Sequence, residues 1–212
     1  MKINRFYFNM LPVNSYVLWD DESRQCAIVD VGCYYPKEEE TLARFIADNR
    51  LTVKYLLATH LHFDHCFGNA FVAQRYGVAL GASQADEFLL QYMPQQCQAF
   101  GIPFKGEIEP IGHYIDHGDT FTLGTEEIRA IAVPGHSPGS LAFYAPESGF
   151  VLSGDALFQL SIGRTDFPGG NHRQLIESIH KNLLALPPET VVYPGHGPET
   201  EIGIECNENP FL

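Results

Sequence analysis

Apolar positions along the chain fall into two kinds of run. Short alternating or continuous runs recur at 3–8, 15–19, 27–30, 53–58, 78–80, 120–123, 127–133, 140–145, 149–153 and 190–193, and each predicts a strand. Stretches with apolar residues three and four apart predict helices. Pro36 to Asp48 is one: Pro36 suits the first helical position, Glu38, Glu39 and Glu40 suit a positive N-terminus, and Leu42, Phe45 and Ile46 form one apolar face. Asn69 to Tyr76 and Ala85 to Tyr92 are two more. Asn171 can cap a last helix running to about Leu184, with Leu175, Ile179, Leu183 and Leu184 at helical spacing. Turns are expected at Pro12-Val13-Asn14-Ser15 and at Gly124-Thr125, the latter closing a hairpin. Proline and glycine punctuate 94–112, which reads as a long irregular connection. No repeat or flexible linker divides the chain. Strands and a helix, then strands and a helix again, predict two sheets packed together with helices outside, in one domain over 1–212.

Composition narrows the partners. The 212 residues suffice for a full core, and 45% apolar with 18% charged residues is ordinary for a globular protein. A net charge of −13 argues against nucleic acid or an anionic membrane, since phosphate binding needs a basic surface. The N-terminus lacks the apolar stretch of a signal peptide, and no run approaches the length of a membrane span. Five scattered cysteines without a CxxC pair read as reduced thiols of a cytoplasmic protein. Cys66 adjoins the most chemically loaded stretch, where it reads as a packing residue.

That stretch is Thr59-His60-Leu61-His62-Phe63-Asp64-His65. Four metal-capable side chains, His60, His62, Asp64 and His65, directly follow an apolar strand. Three later strands also end in a glycine turn with a ligand: His136 after 131–133, Asp155 after 150–153 and His196 after 191–193. Glycine permits sharp turns and close approach to an ion. Seven ligands are too many for one tetrahedral ion and suit two ions sharing a bridge. His60 and His62 can face one ion, Asp64 and His65 the other, and Asp155 has the two oxygens of a bridge. Imidazole with carboxylate favours zinc, iron or manganese over calcium or magnesium. Thr59 and Ser137 are candidates to orient the imidazoles. His113, His117, His172 and His180 lie outside these turns and read as surface residues.

The THxHxDH run at 59–65, followed in order by His136, Asp155 and His196, resembles the ligand pattern of the metallo-β-lactamase superfamily. The resemblance spans the chain and implies an α/β fold, a four-layer αβ/βα sandwich of two mixed sheets flanked by helices. It implies that His60, His62 and His136 hold a first ion, that Asp64, His65 and His196 hold a second, and that Asp155 bridges them. The Gly135-His136-Ser137-Pro138-Gly139-Ser140 and Gly154-Asp155-Ala156-Leu157-Phe158 segments, with 161–170, are similar to the glyoxalase II branch. A short glyoxalase II-like enzyme lacks that branch's C-terminal helical domain, which supplies basic glutathione contacts. The function so implied is hydrolysis of a small thioester, such as S-lactoylglutathione, by a metal-activated water. Asp64 would both bind metal and orient that water, and two zinc ions, with iron or manganese as alternatives, would be the cofactors.

Three rival functions share these residues. A persulfide dioxygenase would bind one iron through His60, His136 and Asp155. A lactonase or β-lactamase would use the same activated water, and a non-catalytic metal-binding module would not react at all. Arg164, soon after Asp155, is the candidate substrate contact, because a guanidinium can clamp a carboxylate. Its alternative role is a salt bridge to Asp166. Tyr92, Phe100 and Phe104 are candidates for a pocket wall.

Overall fold

The computed structural model describes all 212 residues. The chain opens with β1 (Lys2–Phe8), β2 (Val13–Trp19), β3 (Gln25–Val29), α1 (Pro36–Asp48), β4 (Thr52–Leu57), α2 (Phe63–Cys66), α3 (Asn69–Tyr76) and β5 (Leu80–Ala82). Then come α4 (Glu87–Gln91), α5 (Met93–Ala99), β6 (Ile111–Tyr114), β7 (Thr120–Leu123), β8 (Glu126–Ala132), β9 (Leu141–Ala145) and β10 (Phe150–Gly154). It closes with β11 (Leu157–Phe158), β12 (Ser161–Ile162), α6 (His172–Ser178), β13 (Val191–Pro194), β14 (Thr200–Glu201) and α7 (Ile202–Glu208). The first sheet has the order β1-β2-β3-β4-β5-β6, antiparallel to β3 and parallel beyond it. The second is β14-β13-β10-β9-β8-β7, with one parallel pair, β10 and β13. Both are therefore mixed, and β11 and β12 form a separate hairpin.

The two-residue period of the strands sorts side chains into layers. Tyr16, Leu18, Ala27, Val29 and Leu57 of the first sheet meet Phe121, Ile128, Phe143 and Leu152 of the second. Val17, Cys26, Ile28 and Leu56 point the other way, onto Leu42, Ile46, Val72 and Leu89 of the helical elements. On the far face of the second sheet, Ala142, Val151 and Val192 pack under Leu175, Ile179, Leu183 and Ile202. Helices, two facing sheets and helices make the expected four-layer αβ/βα sandwich. Every buried Leu or Phe in these layers contributes about 1.5–3 kcal/mol.

Several expected boundaries move. Val13 and Asn14 belong to β2, so the turn falls earlier, at Asn9, whose φ is +53°. Asn9 holds that turn by accepting from Leu11 N and donating to the carbonyls of Gly32 and Asp64. The strand expected at 78–80 occupies Leu80–Ala82, because pairing with β4 starts only at Leu80. The connection 94–112 is not wholly irregular: it contains most of α5 and the start of β6. Pro94 sits in the first turn of α5, where its missing N–H costs nothing. The helix expected at 85–92 is a 3₁₀ turn, Gln84–Asp86, followed by α4. Asn171 does cap α6 by accepting from Gln174 N, but the helix relaxes into a π turn at Ile179–Leu183. The short α2, β11, β12, β14 and α7 were not expected at all.

Candidate metal centre

The seven predicted ligands converge at one edge of the sandwich. β4 ends at Leu57 and delivers His60 and His62, and α2, a single turn, carries Asp64 and His65. Leu141 N donates to Thr59 O, so β9 brings the His136 loop beside the cluster. Ligand atoms of His60, His62 and His136 lie within 4.8 Å of one another, as do those of Asp64, His65 and His196. Asp155 lies between the triads. Its Oδ1 is 3.5 Å from His65 Nε2, and its Oδ2 is 3.7 Å from His136 Nε2 and 3.6 Å from His196 Nε2.

A divalent cation fits this donor set. His62 Nδ1 and His136 Nε2 face each other at 2.8 Å, and His65 Nε2 and His196 Nε2 at 3.2 Å. At the same place His60 Nε2 and Asp155 Oδ1 are buried with no hydrogen-bond partner. Buried polar atoms without partners cost about 1–3 kcal/mol each, so converging orphans call for a ligand. Two triads with a carboxylate between them can hold two ions.

Residues around the ligands fix their orientation. Asp30, at the end of β3 with φ +55°, accepts from Thr59 N and Thr59 Oγ1, both at 2.7 Å, and from His65 Nδ1 at 3.1 Å. Since Thr59 Oγ1 donates to Asp30, it accepts from His60 Nδ1 at 3.0 Å, which leaves His60 Nε2 for the ion. Asp30, His60 and His65 also have metal-ligand spacing, but both oxygens of Asp30 are already engaged, so the carboxylate orients the imidazoles instead. His136 Nδ1 donates to Arg164 O at 2.7 Å. A second buried carboxylate, Asp86, accepts from Leu61 N, Ser137 Oγ and Gly139 N. The His196 turn is held from β2: Asn14 Nδ2 donates to the carbonyls of Pro194 and Gly197, and Tyr16 Oη to that of Pro194. Thr59 thus contacts an imidazole directly, whereas Ser137 bonds to Asp86 and Ser140 and to none of the ligand rings. Asp30, Asp86 and Asn14 had no signal in motif or spacing.

Charge is divided unevenly over the site. Burial, reinforced by neighbouring histidines, holds His60 well below its usual pKa and brings His62 down to about 3. Burial also opposes protonation of His65, yet Asp155 and Asp64 overcome it and hold His65 well above the usual value. His196 is raised in the same way, against burial, by Asp155 and Asp64. Burial disfavours the Asp155 carboxylate, but His65 and His196 hold it well below the usual range. The Cys66 thiol is pushed far up by burial and points at His60 O, which fits a packing role.

A cavity of about 630 Å³ opens over the triads. Tyr92, Phe100 and Arg164 line it, whereas Phe104 packs on the core. Arg164 also makes the alternative contact: Nε and Nη2 donate to the two oxygens of Asp166 at 2.7 and 2.6 Å. Its guanidinium lies 4.2 Å over the ring of Phe167, a wall residue the sequence did not single out. His113, His117, His172 and His180 are exposed, as expected.

A binuclear His/Asp centre at the edge of an αβ/βα sandwich defines a class of metal-dependent hydrolases. Residues 9–196 match the Metallo-beta-lactamase superfamily, and the chain belongs to it. It is 38% identical over 209 residues to "Hydroxyacylglutathione hydrolase GloC" of Haemophilus influenzae, covering 96% of each chain. The "BLEG-1 B3 metallo-beta-lactamase" structure superposes with a TM-score of 0.89 at 34% identity, covering 100% of this chain and 99% of the other. The structure of "TTHA1623 in a di-iron-bound form" gives 0.87 at 33%, with 99% and 100% covered.

Proposed function

We propose that the protein hydrolyses a small thioester in the cytoplasm, with S-2-hydroxyacyl thiols such as S-lactoylglutathione as the first substrates to test. The observation that carries this reading is the pair of complete triads, with the unpartnered Asp155 Oδ1 between them. Similarity to a hydroxyacylglutathione hydrolase supports the choice of ester. His60, His62 and His136 would hold one ion, Asp64, His65 and His196 the other, and Asp155 both, with zinc the ion that suits imidazole and carboxylate. When bound, the ions supply Lewis acidity, which brings the pKa of water to about 7 and stabilises a developing oxyanion.

The residues supply the rest. Asp64 accepts a hydrogen bond from the attacking water and aims it at the carbonyl carbon. Asp30, through Thr59 and directly, keeps His60 and His65 presenting their Nε2 atoms. Addition of water and rupture of the C–S bond give a carboxylic acid and a thiol. A thiol of ordinary pKa, about 8.5, departs as thiolate without a strong general acid. Apolar walls exclude bulk water and strengthen every charge interaction at the floor.

The test loads the purified protein with zinc, measures metal by elemental analysis and assays lactoylglutathione beside simpler thioesters. Turnover with two ions per chain is expected, and no turnover of any thioester defeats the proposal. Iron in a relative's site, although as a pair of ions there, leaves a second reading, a mononuclear-iron persulfide dioxygenase using His60, His136 and Asp155. One iron per chain with oxygen uptake on a persulfide would establish it instead.

A further inference from the structure

We infer that the cavity selects thioesters whose organic body is uncharged and apolar, and that Asp166 is a specificity-determining residue, because it withholds Arg164 from anionic substrates. The inference rests on the thioester reading and adds to it the chemical class of the group recognised.

The walls are aromatic. Phe63, Tyr92, Phe100, Phe158, Ile162 and Phe167 line the cavity above the ligands. Ring centroids step inward from the mouth: Phe100 to Phe167 is 6.3 Å, and Phe167 to His62 is 5.0 Å. Phe63 flanks Phe100 at 5.2 Å. Tyr92 and Phe100 remain 53% and 43% exposed, so large apolar side chains stand in water at the entrance. An aryl or alkyl group sliding along this wall removes apolar surface of both partners from water.

Anions meet the opposite. Arg164 is the one Lys or Arg lining the cavity. Asp166 takes its Nε and Nη2 donors, bidentate, and places a negative charge beside the guanidinium, whose face lies on Phe167. A substrate carboxylate is left the Nη1 edge alone and meets there a guanidinium whose charge Asp166 already offsets. Neutral Gln96 is engaged as well: it accepts from Phe63 N and donates to Leu89 O. The whole chain carries −13. A thiol arm with two free carboxylates, as in glutathione, finds no lysine or arginine on the wall that lacks a carboxylate partner.

The experiment uses the metal-loaded protein and four substrates: the phenylacetyl and lactoyl thioesters of N-acetylcysteamine and of glutathione. The phenylacetyl ester of the neutral thiol should exceed the lactoyl ester of the same thiol about tenfold or more in kcat/KM, since one methylene in an apolar pocket already counts for about tenfold. Asp166→Asn should raise the glutathione-to-N-acetylcysteamine ratio about fivefold. Phe100→Ala should lower the phenylacetyl-to-lactoyl ratio about tenfold. A wild-type preference for lactoylglutathione over phenylacetyl-N-acetylcysteamine overturns the inference while thioester hydrolysis stands. If no thioester turns over, the hydrolase reading falls and binding decides the cavity. Calorimetry on metal-free protein compares the 2-phenylethyl thioethers of N-acetylcysteamine and of glutathione. Tighter binding of the neutral thioether, by about tenfold, sustains the inference, and equal or weaker binding overturns it.

Discussion

Replacing Asp86 with alanine should unfasten two of the ligand-bearing loops at once. Its carboxylate is fully buried and sits between the segment holding His60 and His62 and the segment holding His136. It accepts from Leu61 N at 3.2 Å, from Ser137 Oγ at 2.7 Å and from Gly139 N at 2.6 Å. In Asp86→Ala the two backbone N–H groups lose this acceptor, while Ser137 Oγ keeps Ser140 Oγ at 2.7 Å. At about 1–3 kcal/mol for each orphaned buried donor, the loss is about 2–6 kcal/mol. One effect offsets part of it. Burial pushes the Asp86 carboxyl pKa up, although its three donors pull some of the rise back, so the native protein bears a cost for this charge. The expected destabilisation therefore lies in the lower half of that range.

Urea unfolding of chelator-treated protein, followed by fluorescence of Trp19, measures this. Trp19 is the single tryptophan and is buried in the core between the first sheet and its helices. Ser137→Ala alone should cost about 1 kcal/mol, because Asp86 keeps two donors. The double variant should cost less than the sum, since the Asp86–Ser137 bond is removed by either change. A loss below about 1 kcal/mol for Asp86→Ala, or strict additivity, refutes the reasoning.

Three further outcomes are expected. Asp30→Ala should weaken metal binding about 10–100-fold in chelator competition, because it frees His65 and the Thr59 that holds His60. Burial biases His60 and His62 toward the neutral form, while Asp155 and Asp64 bias His65 toward the protonated form, so the second equivalent of zinc should release more protons than the first, and its affinity should rise with pH through the neutral range. Calorimetry in two buffers of different ionisation enthalpy reads this directly, and equal release for both equivalents counts against it. Gly195→Ala places a Cβ against Asp155 Oδ1 and 2.8 Å from His65 Cε1, so elemental analysis should find both ions bound less fully, the second most of all.

How much of this was legible follows from what each signal depends on. The ligands were legible because strand periodicity and glycine turns are local, and β4, β10 and β13 each end within a few residues of one. α5 was not, since Pro94 and Gly101 read as breakers. In the structure the same residues bound the helix: Pro94 lies in its first turn, and Gly101, at φ +68°, follows its end. β6 carries no apolar alternation because it is a largely exposed edge strand. Asp30 and Asp86 are two among 26 acidic residues, and nothing beside them in the chain sets them apart. Their roles come from long-range register. Parallel pairing of Val29 with Leu57 brings Asp30 beside Thr59, and Asp86 meets Ser137 across 51 positions.

The orienting network also changes what the two triads mean. The sequence divides the ligands into separate half-sites, one around His60 and one around His65. Asp30 Oδ2 serves both: it accepts from the Thr59 hydroxyl that receives His60 Nδ1, and it accepts from His65 Nδ1. A single carboxylate oxygen thus sets the ring orientation of one ligand in each half, and Asp155, which follows β10 of the second sheet, faces both halves. Rotation of either imidazole draws on the hydrogen bond that restrains the other. Damage confined to one half should therefore disturb both ions, and the centre behaves as one coupled unit from its orienting groups outward.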